Sequence, residues 1–350
     1  MADGGRRAYI GSFTAAGGPG IVTAEVDPGS GALTVLSSVN AVQDPSYLTL
    51  APDGRTLYAV SETADGAVAA YRVDGDKPVP AGRPVPVGRP VPVGGSGPTH
   101  LGLFDGHVLT ANYGSGSVTA VPVRPDGALA RSASSVLRHS GAGPHTPRQQ
   151  APHAHHVQPD PSGRWAVSVD LGTDSVRVCT LTDGALALHR ETALRPGSGP
   201  RHLAFHPDGS RAYVVNELSP SVTVCRWDAA SGVLTPLSET PVLPGAPARD
   251  AYPSGIVASP DGRFVWTATR GEDVLSVLAV EGAEGEELRL VTTVHCGGHW
   301  PRALTASGGS LYVANERSGD VTWFAVDPLT GVPRRGGSIR VTAASCVVLG

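Results

Sequence analysis

Six stretches of this chain are variants of one another. "DPSYLTLAPDGRTLYAVSE" from Asp44 is answered by "GPTHLGLFDGHVLTANY" from Gly97, "APHAHHVQPDPSGRWAVSVD" from Ala151, "GPRHLAFHPDGSRAYVVNE" from Gly199, "AYPSGIVASPDGRFVWTATR" from Ala251 and "HWPRALTASGGSLYVANER" from His299. The prolines that open them, Pro45, Pro98, Pro152, Pro200, Pro253 and Pro301, are spaced by 53, 54, 48, 53 and 48 residues. Self-similarity at this period marks a propeller or a solenoid array. Each copy reads as an apolar strand, a Pro-Asp-Gly type of turn and a second β-branched strand. A third alternating strand such as "SVTVCRWD" and a weaker fourth such as "GVLTPLSE" follow. Four antiparallel strands per unit make a propeller blade, whereas a leucine-rich or β-helix repeat is about half as long.

The chain ends complete the count. "RAYIGSFT", "GIVTAEVD" and "GALTVLSS" match the second, third and fourth strands of the repeat, and "AASCVVLG" at the C-terminus supplies the missing first one. Six whole blades and one shared blade predict an all-β, seven-bladed β-propeller occupying residues 1–350 as a single domain. Closure through the shared blade removes the free sheet edges that invite aggregation. The composition agrees: 45 Gly and 31 Pro suit a turn-rich β protein, and 40% hydrophobic residues argue against disorder. "PVPAGRPVPVGRPVPVGG", residues 78–95, falls where the outer strand of the second blade belongs. Proline cannot donate to a ladder, so an edge strand or extended loop is expected there.

A net charge of -4 gives no electrostatic footprint for nucleic acid. No apolar run reaches the length of a signal peptide or of a membrane span, so a cytoplasmic protein with no membrane partner is expected. Cys179, Cys225, Cys296 and Cys346 show no C-x-x-C spacing and are expected to be buried small hydrophobes.

In a meandering blade the start of strand one and the end of strand two meet at the same face. Strand-one starts contribute His100, His153, His155, His156, Arg201, His202 and Arg302. Strand-two ends contribute Glu62, Asn112, Tyr113, Asp170, Asp174, Asn216, Glu217, Arg270, Asn315, Glu316 and Arg317. A polar ring is therefore expected at one mouth of the central channel, while the Asp-Gly turns of the other face are structural. His153 and His155 could share a cation, but no cysteine or well-placed carboxylate completes a zinc set, so no metal is expected. Arg201, Arg270 and Arg302 on one cavity repel unless an anion or carboxylates join them, and guanidinium binds phosphate and carboxylate in bidentate fashion. The plain structural reading is that Glu217, Asp170 and Glu62 neutralise them in a buried network. A histidine and a glutamate beside such arginines could supply acid and base to an acidic substrate. No G-x-S-x-G elbow and no cofactor fingerprint occur, so no cofactor is expected and water or an internal carboxylate is the nucleophile.

With "YIGSFT", "PHAHHVQPDPSG", "VDLGTDSVRV", "YVVNEL" and "WPRALTASGGSLYVANERSGDV" in order along essentially the whole chain, the sequence resembles the seven-bladed propeller lactonase family. That family spans propeller-type bacterial 6-phosphogluconolactonases and the fungal 3-carboxy-cis,cis-muconate lactonizing enzyme. The resemblance implies hydrolysis of a sugar-acid lactone such as 6-phosphogluconolactone, with a small anionic lactone as partner; a monomer or weak dimer is expected. It implies catalytic roles for His155, Arg201, Glu217 and Arg270, with either His155 or Glu217 deprotonating water. Around them His153, His202, Asp170, Arg302, Asn315 and Glu62 are expected to contact substrate. Thr269 stands where the family often has Asn. The alternatives are a carboxymuconate-type lactonizing cycloisomerase, which uses the same arginines for carboxylates, or a specialised lactone cyclase. A non-catalytic binding platform should instead present an exposed aromatic patch, and only 5% of this chain is aromatic.

Overall fold

The computed structural model describes residues 6–73, 83–282 and 285–350. They form seven four-stranded antiparallel sheets, each a consecutive meander except the first. In blade 1 the C-terminal strand Ala344–Leu349 lies innermost against Arg7–Ser12, followed by Ile21–Val26 and Leu33–Val39. The innermost strands of blades 2 to 7 are Leu48–Leu50, Pro98–Phe104, Ala154–Pro159, Pro200–Phe205, Tyr252–Ala258 and Pro301–Ser307. Val85–Pro92, within the Pro-Val repeat, is the outer strand of blade 2; residues 78–82 of that repeat lie outside the described residues.

The core is divided into slabs between blades. Second strands, packed on both faces, read as continuous buried runs, as in Thr56–Ser61 and Phe264–Arg270, whereas the outer strand Ala185–Ala193 is mostly exposed. Val169, Val178 and Val214 fill the slab between blades 4 and 5, and Trp266, Val313 and Phe324 fill that between blades 6 and 7. One cluster joins blades 7, 1 and 2 through Tyr312, Ile10 and Leu57, so packing runs around the whole ring. Aromatic donors stitch neighbours together: Tyr58 Oη reaches Gly127 O at 2.8 Å, Trp165 Nε1 reaches Ala229 O at 2.8 Å and Trp266 Nε1 reaches Gly331 O at 2.7 Å. Each bond carries a second strand onto the outer turn of the next blade.

The Pro-Asp-Gly turns are structural, as expected. Asp53, Asp208 and Asp261 each accept the N–H two residues on, and Gly54, Gly209 and Gly262 occupy the left-handed region that such turns require. All four cysteines are buried and free. Among the described residues no helix is long and apolar enough to cross a membrane.

Deleting residues 344–350 would strip the inner strand from blade 1, exposing the Arg7–Ser12 edge and the apolar surface now covered by buried Cys346 and Val347. At roughly 1.5–3 kcal/mol per large buried apolar side chain, the expected outcome is a markedly lower unfolding midpoint with concentration-dependent aggregation. Thermal scans with light scattering would check it, and an unchanged midpoint would refute closure through this strand.

Candidate active site

The innermost strands do not run in simple register. In blade 4 Ala154 pairs with Asp170 and His156 with Val169, leaving His155 as an extra residue; in blade 5 Arg201 is extra, and in blade 7 Arg302. Thr99 and Ser345 occupy the same position in blades 3 and 1. Such a bulge breaks the alternation of side chains and re-aims one of them. It accounts for two consecutive histidines, His155 and His156, both meeting the His202 ring, at 5.3 and 4.8 Å between centroids.

The ends of the second strands separate into two roles. Asn112, Asn216 and Asn315 are fully buried, and the side-chain N–H groups of Asn112 and Asn216 bond Ser and Thr hydroxyls of the adjacent third strand: Ser117 and Thr119, Ser221 and Thr223. Asn315 does the same with Asp320 and Thr322. Asn315 is thus a pin within its blade through its side-chain N–H groups. Asp170 holds the equivalent position in blade 4. It is fully buried and accepts from His139 Nδ1 at 2.6 Å, from the His153 and Thr173 N–H groups, and from Arg177. The residue after each pin, Tyr113, Glu217 or Glu316, is the one that turns toward the mouth.

Glu217 is the centre of that mouth. Its Oε2 lies 3.0 Å from Arg201 Nε and 2.7 Å from Arg270 Nη2, and its Oε1 lies 2.7 Å from Arg148 Nη2. The side chains of Arg201, Glu217 and Arg270 are 3, 4 and 9% exposed, against 34% for Arg148. Burial pushes the Glu217 carboxyl up, but the guanidiniums of Arg270 and Arg201 win and hold it well below the usual carboxylate range. Burial, then Arg270, brings Arg201 down to about 9, still protonated at neutral pH. Arg201 Nη1 donates to Ser254 O at 2.8 Å and to His202 Nε2 at 3.2 Å, while Arg270 Nε donates to Tyr252 O at 3.2 Å. Arg270 also lies 5.6 Å from the Trp300 ring, and the Arg317 guanidinium lies 3.3 Å from that ring.

His155 sits beside this cluster with its Nδ1 buried and unpartnered, and with the Tyr113 ring 5.4 Å away. Burial and then Arg201 drive its pKa well below 6.5, so it is a neutral imidazole at physiological pH. His153 stacks on Tyr113 at 4.3 Å and meets its carbonyl oxygen through Nδ1 at 2.8 Å. Arg302 joins a neighbouring group instead of sharing Glu217: it pairs with Glu62 at 3.4 Å and Glu316 at 3.3 Å, and lies over the Phe13 ring. Glu62 is also held by the Ser46 hydroxyl, and burial, only partly offset by Arg302, raises its pKa.

His202 lies one layer deeper than expected, under Arg201. With His100, His156 and Tyr47 it forms a stack across the channel, the three imidazoles 4.0 to 5.3 Å apart. All three are neutral, because burial first and Arg201 or neighbouring imidazoles second push their pKa values down. The 740 Å³ cavity of this structure opens on the opposite face and ends on that stack, with Leu50, Phe205 and Leu349 along its walls. Its size reflects the width of the channel; the cationic chemistry lies on the other side of the imidazoles. Among the described residues no group of three or more His, Cys, Asp and Glu side chains is arranged to hold a metal ion.

Strand positions alone did not reveal Arg148. It belongs to the connection 139–153 between blades 3 and 4, which has no counterpart in the repeat. The length of that connection was the available signal, since long structureless loops in compact domains are commonly functional.

Residues 7–349 match the family described as Lactonase, 7-bladed beta-propeller, and the chain belongs to that family of carboxylic ester hydrolases. Its relatives include the 6-phosphogluconolactonase of Bacillus subtilis, 35% identical over 329 residues that cover 92% of each chain. Among solved structures, the periplasmic gluconolactonase of Pseudomonas aeruginosa superposes with a TM-score of 0.89 at 32% identity, covering 98% of both chains. A Lactobacillus plantarum protein superposes with a TM-score of 0.90 at 29% identity, covering 99% of both.

Because Glu217 has a lower pKa folded than unfolded, its stabilising contribution is complete above the unfolded value of about 4.3 and is lost as pH falls toward the depressed folded value. Glu217→Gln should therefore lower the unfolding midpoint at pH 7, by the equivalent of about 3–5 kcal/mol for a broken buried pair, and should flatten the loss of stability between pH 5 and pH 3. Thermal melts across pH would check both; equal acid sensitivity of the two proteins would contradict the assignment.

Proposed function

We propose that this lactonase hydrolyses the ring ester of an anionic sugar-acid lactone such as 6-phosphogluconolactone, and that it does so at the Glu217 mouth. The observation that carries the reading is the meeting of three guanidiniums on one carboxylate. Three positive charges against one negative leave an excess of two, which a dianionic substrate offsets. The related Bacillus subtilis 6-phosphogluconolactonase supports the phosphorylated substrate.

The base is His155 rather than Glu217. A carboxylate held by three guanidiniums is a poor proton acceptor, whereas the His155 imidazole is neutral and its Nδ1 has no partner. His155 takes a proton from water as the oxygen attacks the lactone carbonyl carbon. Negative charge moves onto the carbonyl oxygen, where Arg201 and Arg270 stabilise it, Glu217 keeping both guanidiniums in place. The tetrahedral intermediate collapses with cleavage of the bond to the ring oxygen, which leaves with the proton carried by His155. The product is the open hydroxy acid, and the imidazole is neutral again. Among the described residues Arg201 Nη2 and Arg270 Nη1 make no hydrogen bond to protein, so donors remain for the oxyanion.

Purified protein should turn over 6-phosphogluconolactone, and Arg201→Ala should lower kcat by roughly a hundredfold or more, as loss of an oxyanion donor does. The acid limb of kcat/KM should lie below pH 6.5, because the base has a depressed pKa. His155→Gln should abolish most turnover together with that limb. Undiminished turnover in both variants would reject the site.

A further inference from the structure

We infer that Arg148 is the specificity-determining cation of this site, reading the phosphoryl group of the lactone; the inference rests on the lactonase reading above and extends it to a residue outside the repeat. The three guanidiniums around Glu217 are not equivalent. Arg201 and Arg270 share Oε2, are nearly sealed from solvent and donate to the backbone of blade 6 through Ser254 O and Tyr252 O. They form the floor, against which the reacting carbonyl must lie to meet His155. Arg148 takes the opposite oxygen, Oε1, and keeps a third of its side chain in solvent. It also donates to the Tyr113 hydroxyl at 3.3 Å. Burial draws its pKa down, but Glu217 more than reverses this and keeps the charge fixed.

The loop that carries it is built to hold it. Gln149, the next residue, is fully buried and donates through Nε2 to Leu171 O at 2.8 Å and Asp174 Oδ1 at 2.7 Å. Its Oε1 accepts the His145 N–H at 2.9 Å, and its backbone closes the loop onto His145 and Gly143. Asp174 in turn accepts the N–H groups of Gly197 and Gly199, next to the strand that begins with Pro200 and Arg201. Arg148 is thus fixed relative to Arg201 by a hydrogen-bonded chain, although it lies on a connection rather than in a sheet. A phosphoester on the exocyclic carbon of a sugar lactone is remote from the reacting carbonyl. With the carbonyl on the floor it points to the open side of Glu217, where Arg148 offers a planar guanidinium suited to bidentate binding of phosphate.

The test compares wild type, Arg148→Ala, Arg148→Lys and Arg317→Ala as full-length proteins. Steady-state hydrolysis of 6-phosphogluconolactone and of gluconolactone is measured, together with calorimetric binding of the products 6-phosphogluconate and gluconate. Arg148→Ala should lower kcat/KM for the phosphorylated lactone ~10–100-fold, the range of one charged hydrogen-bonded contact. That loss should lie mainly in KM, and the preference over gluconolactone should fall by a similar factor. Arg148→Lys should recover part of it, and 6-phosphogluconate should weaken in step while gluconate does not. Equal losses on both lactones would overturn the assignment, since Arg148 would then only support Glu217. Discrimination carried by Arg317→Ala instead would overturn it as well. If wild type binds 6-phosphogluconate through Arg148 but turns over neither lactone, the hydrolase reading falls and the assignment of Arg148 stands. Turnover of both lactones without an Arg148-dependent preference removes the assignment alone, and neither turnover nor product binding removes both.

Discussion

In six blades the strand nearest the axis carries one residue more than the strand beside it, and the chemistry of the upper mouth depends on that surplus. Regular pairing would alternate side chains between the two faces of each blade, placing every second residue in an interblade slab. In five of them the extra residue, Thr99, His155, Arg201, Arg302 or Ser345, escapes the alternation. Polar groups reach the channel there without breaking the apolar slabs. The slabs can therefore remain aliphatic and aromatic, as Val214, Tyr213 and Trp266 show, while the axis is cationic and rich in imidazole.

This arrangement explains what the sequence could reveal. The period near fifty residues and the matching ends predict seven blades and their closure, because a strand-turn-strand pattern is local and repeats. His155, Arg201, Glu217 and Arg270 occupy corresponding places in successive repeats, so ring closure is enough to bring them to one mouth. Asn315 and Asp170 are indistinguishable from mouth residues by position, since one residue separates the blade-pinning side chain from its mouth-facing successor. Only the pairing register tells Asn216 from Glu217. Arg302 illustrates another limit: it stands in the same bulge position as Arg201, yet Glu62 and Glu316 draw it into a separate group. Arg148 could not be placed from the repeat at all, because the connection that bears it is absent from the other blades.

The channel is divided by charge as well as by shape. Above the imidazole stack, buried guanidiniums outnumber the Glu217 carboxylate; below it, the described lining of the large cavity contains no Asp, Glu, Lys or Arg. His100, His156 and His202 separate the two, and they can pack at 4.0 to 5.3 Å because none is charged. Protonating any of them would place a buried cation near Arg201, so burial and the arginine act in the same direction. With Arg201 Nη1 donating to it, His202 Nε2 must be the unprotonated nitrogen, which fixes the tautomer. The imidazole layer is therefore a neutral acceptor surface under a cation, and it orients Arg201 without neutralising it.

A cationic centre with too few carboxylates is costly to fold, and more acidic residues would have made a more stable channel. The neighbouring group shows that alternative, with Arg302 standing between two carboxylates, Glu62 and Glu316. Around Glu217 the balance is reversed, and in the proposed function the missing counter-charge comes from an anionic substrate. Two of the three guanidiniums are already held by backbone carbonyls, so binding an anion requires little reorganisation. Electrostatic stabilisation that is in place before the reaction is most effective in a site shielded from solvent, where the effective dielectric is low. The same burial that depresses His155 below its ordinary pKa keeps it unprotonated beside these cations, so a neutral imidazole and buried guanidiniums coexist through one physical cause.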